Sequence, residues 1–129
     1  MGGSGFRQVA VAVASARLVA GVALGAFPTR FLRWEPLVAG SAMPLTLRTV
    51  GIRDLAVGLG TATAVRHGTV DDLGRWLWAG TVSDALDVVA GFAAARSIGP
   101  RGVVSAAIAL PMIVADAAAL TMLHRSTAE

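Results

Sequence analysis

Long apolar stretches dominate the chain, and short polar or proline-containing segments separate them. The stretches cover residues 7–26, 44–65, 75–95 and 102–123. Each holds about 20 residues, the length of helix that crosses the hydrocarbon core of a bilayer. None carries the broad charged face expected of a helix on the surface of a soluble bundle. The pattern predicts an all-α fold, a four-transmembrane-helix bundle that makes residues 1–129 a single integral membrane domain.

The first connection predicts a short interfacial helix between spans one and two. Phe27, Phe31 and Trp34 recur at intervals of four and three residues, with Arg30 and Arg33 between them. Such a helix would place its aromatic face in the acyl region and its basic face among the lipid headgroups. An ordinary loop with an accidental aromatic spacing is the alternative interpretation.

The composition supports a membrane protein and indicates a bacterial source. The chain is 55% hydrophobic and its mean hydropathy is +0.68, above the usual globular range. Eleven arginines and no lysine are typical of a high-GC bacterial genome, so we expect a multi-pass protein of the bacterial inner (cell) membrane. A cleaved signal peptide is disfavoured because Arg17 interrupts the first stretch. The arginines are scattered, so no nucleic-acid partner is expected, and the absence of cysteine excludes disulfides and cysteine-ligated metals.

Ionisable residues lie within the predicted spans and form a predicted polar centre, either structural or ligand-binding. A charged side chain costs about 2.5–3.5 kcal/mol at the centre of a membrane helix, so such groups normally face the bundle interior and pair with one another. The members of the predicted polar centre are Arg17, Arg48, Arg53, Asp54, Asp84, Asp87 and Asp116.

Glycines share the helical stripe of these charges. In the segment GTVSDALDVVAGF, Gly80, Asp84, Asp87 and Gly91 are spaced by four, three and four residues, which places them on one face. The second span has the same arrangement, with glycines at positions 51 and 58 on either side of an aspartate. Small residues allow membrane helices to approach closely, so we expect these stripes to face inward. The predicted helix-packing residues are Gly51, Gly58, Gly80 and Gly91.

Depth along the helices predicts which charges pair. With a rise of about 1.5 Å per residue, Arg17 lies level with Asp84, and Arg53 level with Asp87. The predicted polar centre holds three arginines and four aspartates, so one carboxylate would be protonated or would bind a cation. The alternative is that the charges only select one helix arrangement.

Other chemistry has weak support in the sequence. His67 and His124 fall at helix ends on the same side, but two histidines without a carboxylate are a poor metal site, so no metal or cofactor is predicted. The chain contains no serine–histidine arrangement, phosphate loop or nucleotide fingerprint. These observations argue against an enzyme without excluding one, and no catalytic residue is assigned.

The segment GIRDLAVGLGTATAVRHG, followed by GRWLWAGTVSDALDVVAGFAAAR, resembles a family of small four-span actinobacterial integral membrane proteins known only as a domain of unknown function. The resemblance extends from Ala10 to His124. It implies the four-span architecture and carries no activity. Its most specific positions are Gly51, Arg53, Asp54, Gly58, Gly60, Asp84 and Asp87.

Three functional hypotheses follow. The first is a small multi-pass membrane protein that acts by assembly, as an accessory subunit of a larger membrane complex or as a homo-oligomer, with the bilayer and other membrane subunits as partners. The second is a transporter or a small-molecule- or proton-binding membrane protein that uses Arg17, Arg53, Asp84 and Asp87. The third is a quinone-associated membrane enzyme with Asp84 or Asp87 as proton acceptor.

Overall fold

Four long helices and one short helix make up the part of the chain that the structure describes. The structure, a computed structural model, describes residues 3–31, 43–98 and 100–128. The helices are α1 (Gly3–Ala26), α2 (Pro28–Phe31), α3 (Met43–His67), α4 (Val70–Ile98) and α5 (Pro100–Thr127). The all-α prediction is therefore confirmed for the described residues, and each predicted span falls within one long helix. Helix α2 covers the start of the predicted interfacial helix, whereas Arg33 and Trp34 lie outside the described residues.

The long helices associate as two pairs. Helix α1 packs most extensively against α3, and α4 against α5. Smaller contacts between α1 and α5 and between α3 and α4 complete the bundle. Each helix therefore has one close neighbour and one looser neighbour.

Glycines bring α1 and α3 into direct backbone contact. A Cβ atom added at Gly51 of α3 would lie 2.5 Å from the backbone nitrogen of Gly25 and 2.8 Å from the carbonyl oxygen of Gly21, both on α1. No side chain can occupy that space, so only glycine allows the two backbones to approach this closely. We call Gly21, Gly25 and Gly51 the glycine contact. Gly51 therefore has the helix-packing role that its position on the inward stripe predicts.

The end of the bundle that holds both chain termini has an apolar interior, which we call the apolar half. Its side chains come from all four long helices and are all buried. They are Phe6, Ala10, Val13, Ala64, Leu73, Leu77, Ala119, Leu120 and Leu123. These residues fill the space between the helices by van der Waals packing.

A capping box fixes the tight turn between α3 and α4. The hydroxyl of Thr69 accepts a hydrogen bond from the backbone N–H of Asp72 at 3.1 Å, and the Asp72 carboxylate accepts one from the backbone N–H of Thr69 at 3.0 Å. The two bonds satisfy N–H groups that the first helical turn leaves free. The backbone hydrogen bond from Thr69, and then its hydroxyl bond, lower the pKa of Asp72 below its ordinary value of 3.8.

The outward-facing residues at mid-helix are largely apolar. Val19, Ile52, Leu86, Val89 and Val114 are each more than 60% exposed. Within the described residues, one helical segment, Gly5–Ala26, is long and apolar enough to cross a membrane by length and composition. Helices α3 and α4 are longer still, but each carries two charged residues near its middle, and these lower its mean hydropathy.

Candidate functional site

Arg17 lies at the centre of the bundle and links all four long helices. Its Nη2 atom donates to Asp84 of α4 and to Asp116 of α5, each at 2.6 Å, and its Nη1 atom donates to Asp54 of α3 at 3.2 Å. The guanidinium is planar and offers donors in several directions, so a single arginine can hold carboxylates from three helices. Only 1% of the Arg17 side chain is exposed.

Arg53 extends this arrangement along α4. Its Nη1 atom lies 2.7 Å from Asp87, and its Nη2 atom lies 3.1 Å from Asp54 and 3.6 Å from Asp84. Asp54 and Asp84 are thus each shared by the two arginines. We call the resulting group of six side chains the charged cluster: Arg17, Arg53, Asp54, Asp84, Asp87 and Asp116.

Gly80 of α4 makes room for the guanidinium of Arg17. A Cβ atom added at Gly80 would lie 2.7 Å from Nη2 of Arg17 and 2.7 Å from Oδ2 of Asp116. A side chain here would displace one of these two groups from their ion pair. Gly58 on α3 lies against the other side of Arg17, where an added Cβ would be 3.1 Å from the arginine's Cβ. The predicted inward face is therefore the one that receives the charges, and Gly91 on the same stripe of α4 is buried as well.

Exposure increases steadily across the charged cluster. The side chains of Asp116 and Asp84 are 0% and 4% exposed, and that of Asp54 is 13% exposed. Arg53 and Asp87 are the most exposed members, at 27% and 33%. The apolar half lies on the opposite side of Arg17 and Asp84, along α1 and α4, from Asp87. The charged cluster is therefore accessible at Asp87, and its opposite side packs against the closely packed apolar half.

Three buried polar atoms of the cluster have no hydrogen-bond partner within the described part of the chain. They are Nε of Arg17, Nε of Arg53 and Oδ1 of Asp116. Asp116 is the most enclosed of the four aspartates, yet only its Oδ2 atom is paired. An unpaired oxygen is much more costly on an ionised carboxylate than on a neutral carboxyl group, because burial penalises charge most.

The structure brings together six of the seven residues of the predicted polar centre. The exception is Arg48, which was wrongly placed there: it is exposed near the start of α3, and it makes none of the ion pairs that define the charged cluster. Five residues turn an α-helix through about 500°, so the Arg48 side chain points about 140° away from that of Arg53 around the helix axis. Because Arg48 is not a member, the charged cluster holds two arginines and four aspartates.

The expected pairs are present, but each arginine has more partners than the sequence indicated. Arg17 contacts Asp84 and Arg53 contacts Asp87, as their depth predicts. The sequence did not reveal that Asp116 also binds Arg17, because Asp116 lies past the midpoint of the stretch 102–123, toward the chain termini, whereas Arg17 and Asp84 lie near the middle of theirs. The long arginine side chain spans that difference in depth. Only the length of arginine itself could have indicated such a contact.

The histidines do not extend the charged cluster. His67 is exposed and lines a groove at the end of α3 together with Gly60, Asp72 and Trp76. The Trp76 ring occupies the space beside Gly60, where any side chain would collide with it. His124 places Nδ1 2.8 Å from the carbonyl oxygen of Leu120. In the described ranges, no group of three or more acidic, histidine or cysteine side chains is arranged to hold a metal ion.

Comparisons with protein-family models, with curated proteins and with solved structures found no match to this chain.

Proposed function

We propose that this chain is a multi-pass helical membrane protein whose charged cluster binds a small cation, a proton or a metal ion, at membrane depth. All four long helices would cross the bilayer, as in the small actinobacterial membrane proteins that the sequence resembles. The observation that carries the proposal is the charge of the cluster: two guanidinium groups face four carboxylates, an excess of two negative charges.

The distribution of polar residues supports a membrane location. The most enclosed large side chains include Arg17, Thr61 and Asp116, whereas valines, leucines and an isoleucine are exposed around the middle of the helices. In a soluble protein, the surface of a helix is normally polar, and charged groups are almost never fully buried unless they are paired. Inside a bilayer the opposite arrangement is favourable, because lipid covers the apolar exterior and ionisable groups turn inward.

The excess of carboxylates supports cation binding. In an enclosed site with few polar partners, two uncompensated negative charges are strongly unfavourable, and a bound cation removes part of that cost. Asp87 is the most exposed acidic member and offers a route of approach from the surroundings. The close packing of the apolar half favours binding at this centre over passage through the whole bundle.

A titration tests cation binding. The full chain in lipid nanodiscs would be titrated with sodium and potassium by calorimetry, and proton uptake would be followed with a pH electrode. We expect Asp87→Asn to weaken binding by about tenfold or more, since it removes half of the excess negative charge. The matched control is Asp71→Asn, an exposed aspartate outside the cluster. Equal binding by the two variants, with intact helical content, would contradict the proposal.

Membrane embedding needs its own test. The chain has no cysteine, so single cysteines can be placed at Val19 and Leu86, two exposed mid-helix positions on different helices. In native membranes we expect both to resist membrane-impermeant thiol reagents and to react with lipid-soluble ones. Rapid labelling of both positions by the impermeant reagent would show that these helices do not cross the bilayer.

A role by assembly, as an accessory subunit or homo-oligomer, is the second candidate function. It is favoured by the apolar side chains exposed at mid-helix, among them Val19, Leu86 and Val114, because the helices of another membrane subunit can pack against them. In that case the chain should leave its native membrane in a complex after gentle extraction. A monomer isolated on its own would argue against assembly and leave cation binding as the better explanation.

A further inference from the structure

We infer that the cation is a proton and that it resides on Asp116, so that Asp116 is a neutral carboxylic acid at neutral pH. This inference rests on the proposed function and identifies its ligand.

Asp116 is the least compensated carboxylate in the charged cluster. Its side chain is 0% exposed, its Oδ2 atom shares Nη2 of Arg17 with Asp84, and its Oδ1 atom has no partner among the described residues. Asp84 instead faces both terminal nitrogens of Arg17, at 2.6 and 3.5 Å, and also lies 3.6 Å from Arg53. Protonation removes the charge at the position where the protein compensates it least.

The charged groups around Asp116 support this choice. They are Arg17 on α1, Arg53 and Asp54 on α3, and Asp84 and Asp87 on α4. The two arginines carry enough charge for two of the four carboxylates. Asp84 contacts both arginines, at 2.6 and 3.6 Å, and Asp54, which is partly exposed, also contacts both. Asp116 and Asp87 each contact a single guanidinium nitrogen, but Asp87 is 33% exposed whereas Asp116 has no exposed surface.

A proton suits this location better than a metal ion. Metal cations such as calcium and magnesium bind six or more oxygens, from several carboxylates, carbonyls or waters. Here the carboxylates are spread along the guanidinium groups, and the described residues hold no acidic group arranged around a common point for a metal. A proton needs only one oxygen, and Oδ1 of Asp116 is available.

Infrared spectroscopy of the full chain in nanodiscs tests the inference. A protonated carboxyl group gives a carbonyl stretching band that ionised carboxylates lack, and the band shifts in D₂O. At neutral pH we expect the wild-type chain to show this band, Asp116→Asn to lose it and Asp84→Asn to keep it. Asparagine reproduces the shape and the zero charge of a protonated aspartate, so Asp116→Asn should keep its helical content and its thermal stability.

Every outcome of the infrared experiment either supports or overturns the assignment of the proton to Asp116. A wild-type chain without the band, or a band that survives in Asp116→Asn, would overturn the assignment. Unfolding of Asp116→Asn would overturn it as well, because an ionised Asp116 would then be required for the fold. If the nanodisc titrations still show cation binding in either case, the proposed function stands with its cation elsewhere. If they show none, the proposed function fails independently of Asp116.

Discussion

The charged cluster and the apolar half both lie between the same four helices, but they hold those helices together by different means. The apolar half relies on close packing of leucine, valine, alanine and phenylalanine side chains. The cluster relies on two guanidinium groups that reach carboxylates on neighbouring helices. In the proposed bilayer location, lipid tails would be as apolar as leucine, so apolar contacts would discriminate poorly between helix arrangements. The two regions thus differ in kind: apolar side chains fill the space between the helices, whereas the ion pairs link particular positions on them.

Removing Arg17 should reduce the stability of the bundle more than any other change considered, and it tests the contribution of the charged cluster. Arg17→Gln leaves three aspartates without their shared partner, and breaking a buried ion pair in this way costs on the order of 3–5 kcal/mol. We expect the variant to lose its helical fold at a much lower fraction of denaturing detergent, followed by circular dichroism. Arg48→Gln, at an exposed position on α3, is the matched control. Similar stability of the two variants would mean that the cluster does not hold the bundle together.

Truncating Leu77 tests the apolar half. This side chain is 1% exposed, and Leu→Ala changes in protein cores cost about 2–5 kcal/mol. We expect a cost near the lower end of this range. When the helices separate within lipid, Leu77 exchanges apolar protein contacts for apolar lipid contacts, so little free energy is gained or lost by that exchange. The same detergent titration measures the effect, and Leu86→Ala, at a 63% exposed leucine, serves as control. A larger loss for Leu77→Ala than for Arg17→Gln would reverse the comparison.

The glycine contact offers a third test, in a region that depends on neither charge nor large side chains. Gly51→Ala would force a Cβ atom against the backbone of α1, and overpacking of this kind costs about 1–3 kcal/mol. Gly25→Ala, on the facing helix, meets open space and should be neutral or slightly stabilising. Thermal unfolding in nanodiscs compares the two variants. Equal melting temperatures would show that α1 and α3 do not approach each other this closely.

The capping box should give the smallest effect and a defined pH dependence. The pKa of Asp72 is lowered in the folded chain, so its contribution to stability is complete above its ordinary value of 3.8 and is lost as the pH falls through the lower folded value. Asp72→Asn should therefore reduce the melting temperature slightly at neutral pH and have no effect at strongly acidic pH. Asp71→Asn, next to it and exposed, controls for the loss of one negative charge. A difference between the two variants that persists at low pH would contradict this account of the turn.

Much of this architecture could be predicted because it depends on local spacing. Ala10, Ala14, Arg17 and Gly21 recur at intervals of four, three and four residues, and all four are buried. The same spacing placed Gly80 and Asp84 on the inward face of α4. Helical periodicity fixes which face a residue occupies, and that property belongs to each helix alone.

The partners of each charge could not be predicted in the same way. The error at Arg48 came from judging depth within one helix, whereas burial depends on where the neighbouring helices begin and how they are rotated. The contact between Arg17 and Asp116 depends in addition on the reach of a long side chain across two helices. Arg53 and Asp54, adjacent in sequence, reach different helices, α4 and α1, and also contact each other at 3.1 Å. Relative rotation and offset of helices are properties of the assembled bundle.

The pairing of the helices gives the charged cluster a connecting role. Backbone contact at the glycines joins α1 to α3, and extensive packing joins α4 to α5. The ion pairs of Arg17 with Asp84 and Asp116, and of Arg53 with Asp87, cross from one pair to the other. A change of charge at Asp84, Asp87 or Asp116 therefore acts on the contact between the two helix pairs rather than on the contacts within either pair.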